Sequence, residues 1–169
     1  IARFFPENTN NVFIEPSFDL SSRLNLNSKG KVIIDRFENH NIINKYEGIV
    51  MNPPFGSNSK LAFEHFLKAV KHLSYREYSR LLCIAPAGNS FNKRLETFLS
   101  SKEFRYLSYD YNIKLPSTVF ERAGTKVFTQ IIIFSRTKNQ EYDIRPNILD
   151  YTRIENINNF FDEIENKTL

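Results

Sequence analysis

A single cysteine, Cys83, stands in the 169 residues, so the chain can close no disulfide of its own. That cysteine usage suits a reducing, cytoplasmic setting. Its surroundings, Leu81-Leu82-Cys83-Ile84, describe a buried core thiol and not a nucleophile. Methionine is equally scarce. Met51 is the only one and Ile1 comes first, so the sequence reads as a fragment or a processed chain. No apolar run approaches the roughly 18 residues that cross a bilayer, and no membrane partner is expected. The apolar stretch of note, Ile131-Ile132-Ile133-Phe134, has the length of a strand. There is no internal repeat and no Gly/Ser linker, and this length makes about one domain, 1–169. His40, His65 and His72 share no metal-ligand spacing with one another or with Cys83, which leaves them as surface residues and predicts no metal. Ser90 and Ser117 lack a recognisable base, so no hydrolase triad is present.

What is present is ordinary in bulk: 41% hydrophobic, 25% charged, a net charge of +4 and a pI near 9.1. The basic balance permits a polyanionic partner without requiring one. Lys60, Lys68, Lys71, Lys93 and Arg94 are available to phosphates, although solvated charged faces are commoner.

Short apolar runs alternate with helical patterns. Val12-Phe13-Ile14, Val32-Ile33-Ile34 and Gly48-Ile49-Val50-Met51 read as strands, the last stopped by Pro53-Pro54. Phe63, Phe66, Leu67, Val70 and Leu73 then follow the spacing of an amphipathic helix over 61–73, with Ser57 or Ser59 as its cap. Strands are expected at Leu81–Ala85, Tyr106–Tyr111 and Val127–Ser135, and a helix at Phe91–Leu99. Ile154, Ile157, Phe161 and Ile164 mark a final amphipathic helix. The pattern predicts an α/β fold with a mostly parallel sheet, closed by a C-terminal antiparallel strand pair. Chemistry in such sheets lies beyond the carboxyl ends of the strands. Asp35 and Asn52 both fall there.

Asn52-Pro53-Pro54-Phe55-Gly56 has a physical logic. Two prolines fix φ and remove two N–H groups, so the turn is stiff and offers acceptors. These are the Asn52 side-chain oxygen and the Pro53 carbonyl, with an aromatic ring beside them and a glycine that lets the chain turn. Rigid acceptors next to an aromatic face suit a flat ligand bearing an amino group. The lone pair of a base amine is conjugated into its ring and attacks poorly. Acceptors gripping both hydrogens favour the tetrahedral nitrogen that a methyl transfer needs. Pro-Pro ending a buried strand, with Phe55 filling the core, is the bland alternative.

Ile49-Val50-Met51-Asn52-Pro53-Pro54-Phe55-Gly56 resembles the catalytic motif of S-adenosylmethionine-dependent amino-group methyltransferases, especially the adenine-specific DNA enzymes. Phe13-Ile14-Glu15-Pro16-Ser17 is similar to the start of that family's cofactor motif, a strand ending before a glycine-rich loop. Asp35 stands where the family has an acidic residue near the cofactor adenine. Arg36 occupies a place often aromatic there, with Phe37 as the substitute. Leu115-Pro116-Ser117 to Phe120, Ala123-Gly124-Thr125 and Thr129–Phe134 resemble the family's late strand pair. The likeness covers about 12–136 and implies a Rossmann-like methyltransferase domain. It implies S-adenosyl-L-methionine as cofactor, DNA or else RNA as substrate, and a separate specificity domain or subunit. Asn52, Pro53, Pro54 and Phe55 would be catalytic. Glu15, Pro16, Asp19, Asp35 and Asn52 would hold the cofactor, with Glu15 at its methionine part, Asp19 at the ribose and Asp35 at the adenine amine.

The chain departs from the family after Ser17. No glycine occurs before Gly30, and Phe18-Asp19-Leu20 looks like the family's next strand, as if a cofactor loop were missing between 17 and 18. Phe4-Phe5-Pro6 resembles a segment that precedes a helix, which suggests a second shortening before Val12. Either a loop is absent from the sequence, or the chain is a catalytically inactive, methyltransferase-like nucleic-acid-binding module. RNA amino-methyltransferases and protein-glutamine methyltransferases use similar acceptor turns and remain alternatives.

Overall fold

The computed structural model describes residues 2, 5–123, 128–138, 145–154 and 156–168. Its backbone divides into two units, Ile1–Ile42 and Ile43–Leu169. The expectations at Phe4, at Gly124-Thr125 and at Val127 lie outside the described residues.

The first unit is a strand, a helix and a strand: β1 (Val12–Ile14), α1 (Phe18–Asn27) and β2 (Lys31–Ile33). β1 and β2 pair in parallel, with Phe13 opposite Val32. Gly30 enters β2 hard against Asn11: a Cβ there would lie 2.7 Å from the Asn11 carbonyl oxygen. The strand expected at Phe18-Asp19-Leu20 is the first turn of α1. Ser17 explains the difference. Its hydroxyl accepts from the Leu20 N–H at 3.4 Å, which makes it the helix N-cap. Asp19 adds a carboxylate to the first turn, where the helix dipole favours it. Three residues are too few to show whether their period is 2 or 3.6.

The second unit holds a five-stranded sheet: β3 (Gly48–Met51), β4 (Arg80–Pro86), β5 (Leu107–Lys114), β6 (Thr129–Arg136) and β7 (Asn147–Asp150). Its order is β3-β4-β6-β5-β7. β3 with β4 and β5 with β7 are parallel, whereas β6 is antiparallel to both β4 and β5. The expected mostly parallel sheet is therefore a mixed one. A single reversed strand, β6, lies between two forward strands and so makes both long ladders antiparallel. The antiparallel pairing expected of the late strands holds for β5 and β6.

α2 (Lys60–His72) and α3 (Asn89–Leu99) supply the aromatic side of the core. Phe66, Phe91 and Phe98 are buried with Phe104 and Phe134, and Tyr109 stacks on Phe134 with ring centroids 4.5 Å apart. Burying one such ring contributes about 1.5–3 kcal/mol. Cys83 is buried here as its neighbours foretold, and burial pushes its thiol pKa up to about 12. His65 and His72 are not on the surface. Both are buried on the face of α2 that also carries Phe66, Ala69 and Val70. Arg136 ends β6 inside the protein and donates to the carbonyls of Val70, Leu73 and Ser74 at the end of α2. Those of Val70 and Leu73 are among the carbonyls a helix leaves unpaired.

α4 (Ile157–Thr168) closes the chain and packs a second cluster of Leu115, Tyr151 and Phe160. Its buried ring is Phe160, 5% exposed, while Phe161 is 55% exposed, one position off the expected stripe. The side chains of Ile157 and Ile164 lie outside the described residues.

Candidate active site

The Asn52–Phe55 turn follows β3 directly. Pro53 is buried and anchors it, Asn52 and Pro54 are exposed, and Phe55 is half-buried. The Phe55 ring is partly accessible, and the Asn52 side-chain amide has no partner among the described residues. β3 and β4 are parallel and in register, Met51 opposite Cys83, so the Ala87-Gly88-Asn89 loop after β4 rises at the same sheet end. β6 starts there too: the Ala87 N–H donates to the Phe128 carbonyl at 2.8 Å.

Beyond Phe55 the backbone turns through unusual conformations. Gly56 has φ +62°, and Asn58 and Ser59 have φ +52° and +56°. At Gly56 a Cβ would stand 3.1 Å from that of Leu61. Each non-glycine residue held this way costs about 1–3 kcal/mol. Ser59 occupies the N-cap position of α2 as expected, but its side chain makes no capping bond. Ser90 of α3 reaches the loop instead, its hydroxyl donating to the Asn58 carbonyl at 2.6 Å. Asn92, two residues further along α3, accepts from buried Gln130, which also donates to the Pro86 carbonyl. Sequence reasoning singled out neither Gln130 nor Asn92, and took Ser90 only as a serine without a base. Contacts between residues 32 or more positions apart leave no local pattern to read.

In the first unit Glu15 directly follows β1 and Asp35 follows β2. These strands are parallel, so both carboxylates stand at one sheet end. Glu15 is half-buried and accepts from the Ser17 N–H at 2.8 Å. With Leu20, Arg23, Leu24 and Asn27 it lines an open groove of about 330 Å³. Asp35 is exposed. Its Oδ1 accepts from the Asn39 side-chain amide and the Arg36 N–H, both at 2.7 Å. These two bonds, the Asn39 one foremost, hold its carboxyl below the usual carboxylate value. Pro16 and Asp19 are exposed, and Asp19 lies on α1 instead of at a strand end.

This arrangement of strands and helices defines a class: the chain has a methyltransferase-like α/β fold. Its structural neighbours are particular enzymes and subunits of that class. A putative class I S-adenosylmethionine-dependent methyltransferase from Listeria monocytogenes matches with a TM-score of 0.65 at 12% identity, over 93% of this chain and 55% of that one. A modification subunit of a putative type I restriction enzyme from Vibrio vulnificus matches at 0.56 and 13% identity, over 94% and 41%. The M protein of the type I restriction enzyme EcoKI matches at 0.56 and 14%, over 83% and 35%. The chain thus spans between about a third and just over half of these proteins' lengths. No family model and no curated protein matches the sequence.

Proposed function

We propose that the chain is catalytic machinery of an S-adenosyl-L-methionine-dependent methyltransferase, acting on the exocyclic N6 amine of adenine in DNA. The observation that carries this reading is the rigid Asn52–Phe55 acceptor turn, open at the carboxyl end of β3, on a methyltransferase-like fold. Two structural neighbours, both proteins of type I restriction enzymes, support DNA over RNA and a partner subunit that reads sequence.

S-adenosylmethionine, when bound, supplies an electrophilic sulfonium methyl group. The residues of the first unit suit its adenosine end. Asp35 keeps a charged carboxylate with Oδ2 available to the adenine amine. Glu15 stands directly after a strand and Asp19 lies on a helix, so Glu15 takes the ribose role expected of Asp19. With Glu15 in that place, no excised loop between Ser17 and Phe18 has to be invoked. Nothing glycine-rich stands beside Glu15 among the described residues to meet the methionine end.

The second unit would do the positioning. Asn52 Oδ1 and the Pro53 carbonyl accept the two amine hydrogens and Phe55 stacks on the base, which must leave its helix to arrive. Stacking of this kind contributes about 1–3 kcal/mol per base. No strong general base is required, because the rate comes from orientation.

The test is methyl transfer by the full-length protein to DNA, RNA and a glutamine-bearing peptide. Activity on adenine-containing DNA is expected, and Asn52→Ala should reduce it by about 100-fold to 1,000-fold. Transfer to RNA or peptide alone would replace the substrate. A folded protein that binds nucleic acid yet transfers no methyl group would establish the inactive binding module.

A further inference from the structure

Of the four residues that carry the chain from Phe55 to α2, three have positive φ: Gly56, Asn58 and Ser59. Ser59, at the N-cap of α2, makes no side-chain capping bond. A side-chain bond to the loop comes from another helix. Ser90, in the first turn of α3, donates its hydroxyl proton to the Asn58 carbonyl at 2.6 Å across 32 residues of sequence. α3 is itself fixed at this end. Asn92 Oδ1 accepts from Gln130 Nε2 at 2.8 Å, and the same nitrogen donates to the Pro86 carbonyl at 3.2 Å. Gln130 is buried on β6. The first turn of α3 is therefore tied to the sheet through Asn92 and to the loop beside Phe55 through Ser90.

We propose that Ser90 is a positioning residue for the Asn52–Phe55 turn: its hydroxyl fixes the Gly56–Ser59 loop and thereby the place of Phe55 and Asn52. This rests on the reading of that turn as catalytic. A base and an acceptor must be held within fractions of an ångström for a methyl transfer, and Ser90 acts through the loop without touching substrate.

Two measurements on the full-length protein test it. In the first, Ser90→Ala lowers kcat for DNA methylation by about tenfold to a hundredfold while the melting temperature and cofactor affinity stay as they are. Ser90→Thr, which keeps the hydroxyl, stays within about twofold of the parent in kcat. An unchanged kcat in Ser90→Ala overturns the proposal, as does a loss that Thr fails to rescue. In the second, amide hydrogen exchange at 56–60 accelerates by about tenfold in Ser90→Ala, with the body of α2 unaffected. That readout needs no activity. If the parent protein transfers no methyl group, the catalytic reading fails by itself, and unaltered exchange at 56–60 would then overturn the loop-holding role separately.

Discussion

The two units contrast in how they are held together. In the second, Phe66, Phe91, Phe104, Phe134, Leu81 and Ile132 have no exposed surface, and the rings of this core meet edge to face, tilted or stacked. In the first, Ser21 is the one buried residue among those described, while Phe18 is 71% exposed and Leu26 84%. A pair of three-residue strands and one helix cannot bury enough apolar surface to stand alone. The carboxylates assigned to the cofactor thus sit on the weakly packed unit, and the acceptor turn on the strongly packed one. On the proposed function, rigid support would go where geometry decides the rate, and the adenosine end would need only a few well-placed hydrogen bonds.

Core truncation sharpens that contrast most. Phe134→Ala removes the ring shared by Phe66, Phe98, Phe104 and Tyr109 and should destabilise the protein by about 3–5 kcal/mol. Leu26→Ala, on α1, should change stability by about 0.5 kcal/mol or less. Urea denaturation of both variants measures the difference. Similar losses would mean that the first unit has packing of its own.

The strongly packed unit was also the more legible in sequence. β3 was read at its observed bounds because four apolar residues are cut off by two prolines, and α2 because five apolar positions keep a 3.6 period. β7 was missed, since Asn147-Ile148-Leu149-Asp150 is short, polar at both ends and largely exposed. His65 and His72 were misplaced because residue type spoke louder than their spacing from Ala62 and Ala69. Phe18 to Leu20 was misread because a cap acts through one hydroxyl, and an apolar-polar-apolar triplet fits a strand as well. The turn itself was visible because its stiffness is written in adjacent residues. Its support by Ser90 was not, since that bond joins distant parts of the chain.

A smaller effect tests the chemistry of the weaker unit. Asp35→Asn should weaken S-adenosylmethionine binding by about tenfold, the loss of one charge-assisted hydrogen bond, with the melting temperature unchanged. Titration calorimetry of the full-length protein reads both this and the pH dependence. The Asn39 amide, then the Arg36 N–H, lower the Asp35 pKa from 3.8, so the carboxylate is charged throughout the neutral range. Its share of the affinity should be level as pH falls and disappear only below 3.8, through the lowered pKa. A loss already seen near neutrality would point to a different group, and would remove Asp35 from the cofactor site.

The smallest effect belongs to the edge of the strong unit. Asp150 ends β7 and accepts from the Thr152 hydroxyl at 2.6 Å, the Thr152 N–H at 3.1 Å and Lys114 Nζ at 3.0 Å. The Thr152 hydroxyl foremost, then Lys114, brings its pKa from 3.8 to about 2. The sign follows from the folded value being the lower one: the stabilisation is complete above 3.8 and lost as pH falls from there to about 2. Both partners of the ion pair are more than two-fifths exposed, so solvent screens most of the attraction. Asp150→Asn should therefore cost about 0.5 kcal/mol or less at neutral pH, and flatten the acid limb of stability over that window. A cost near that of Phe134→Ala would show β7 to be as firmly held as the centre of the sheet, and would move the boundary between strong and weak regions away from the unit division.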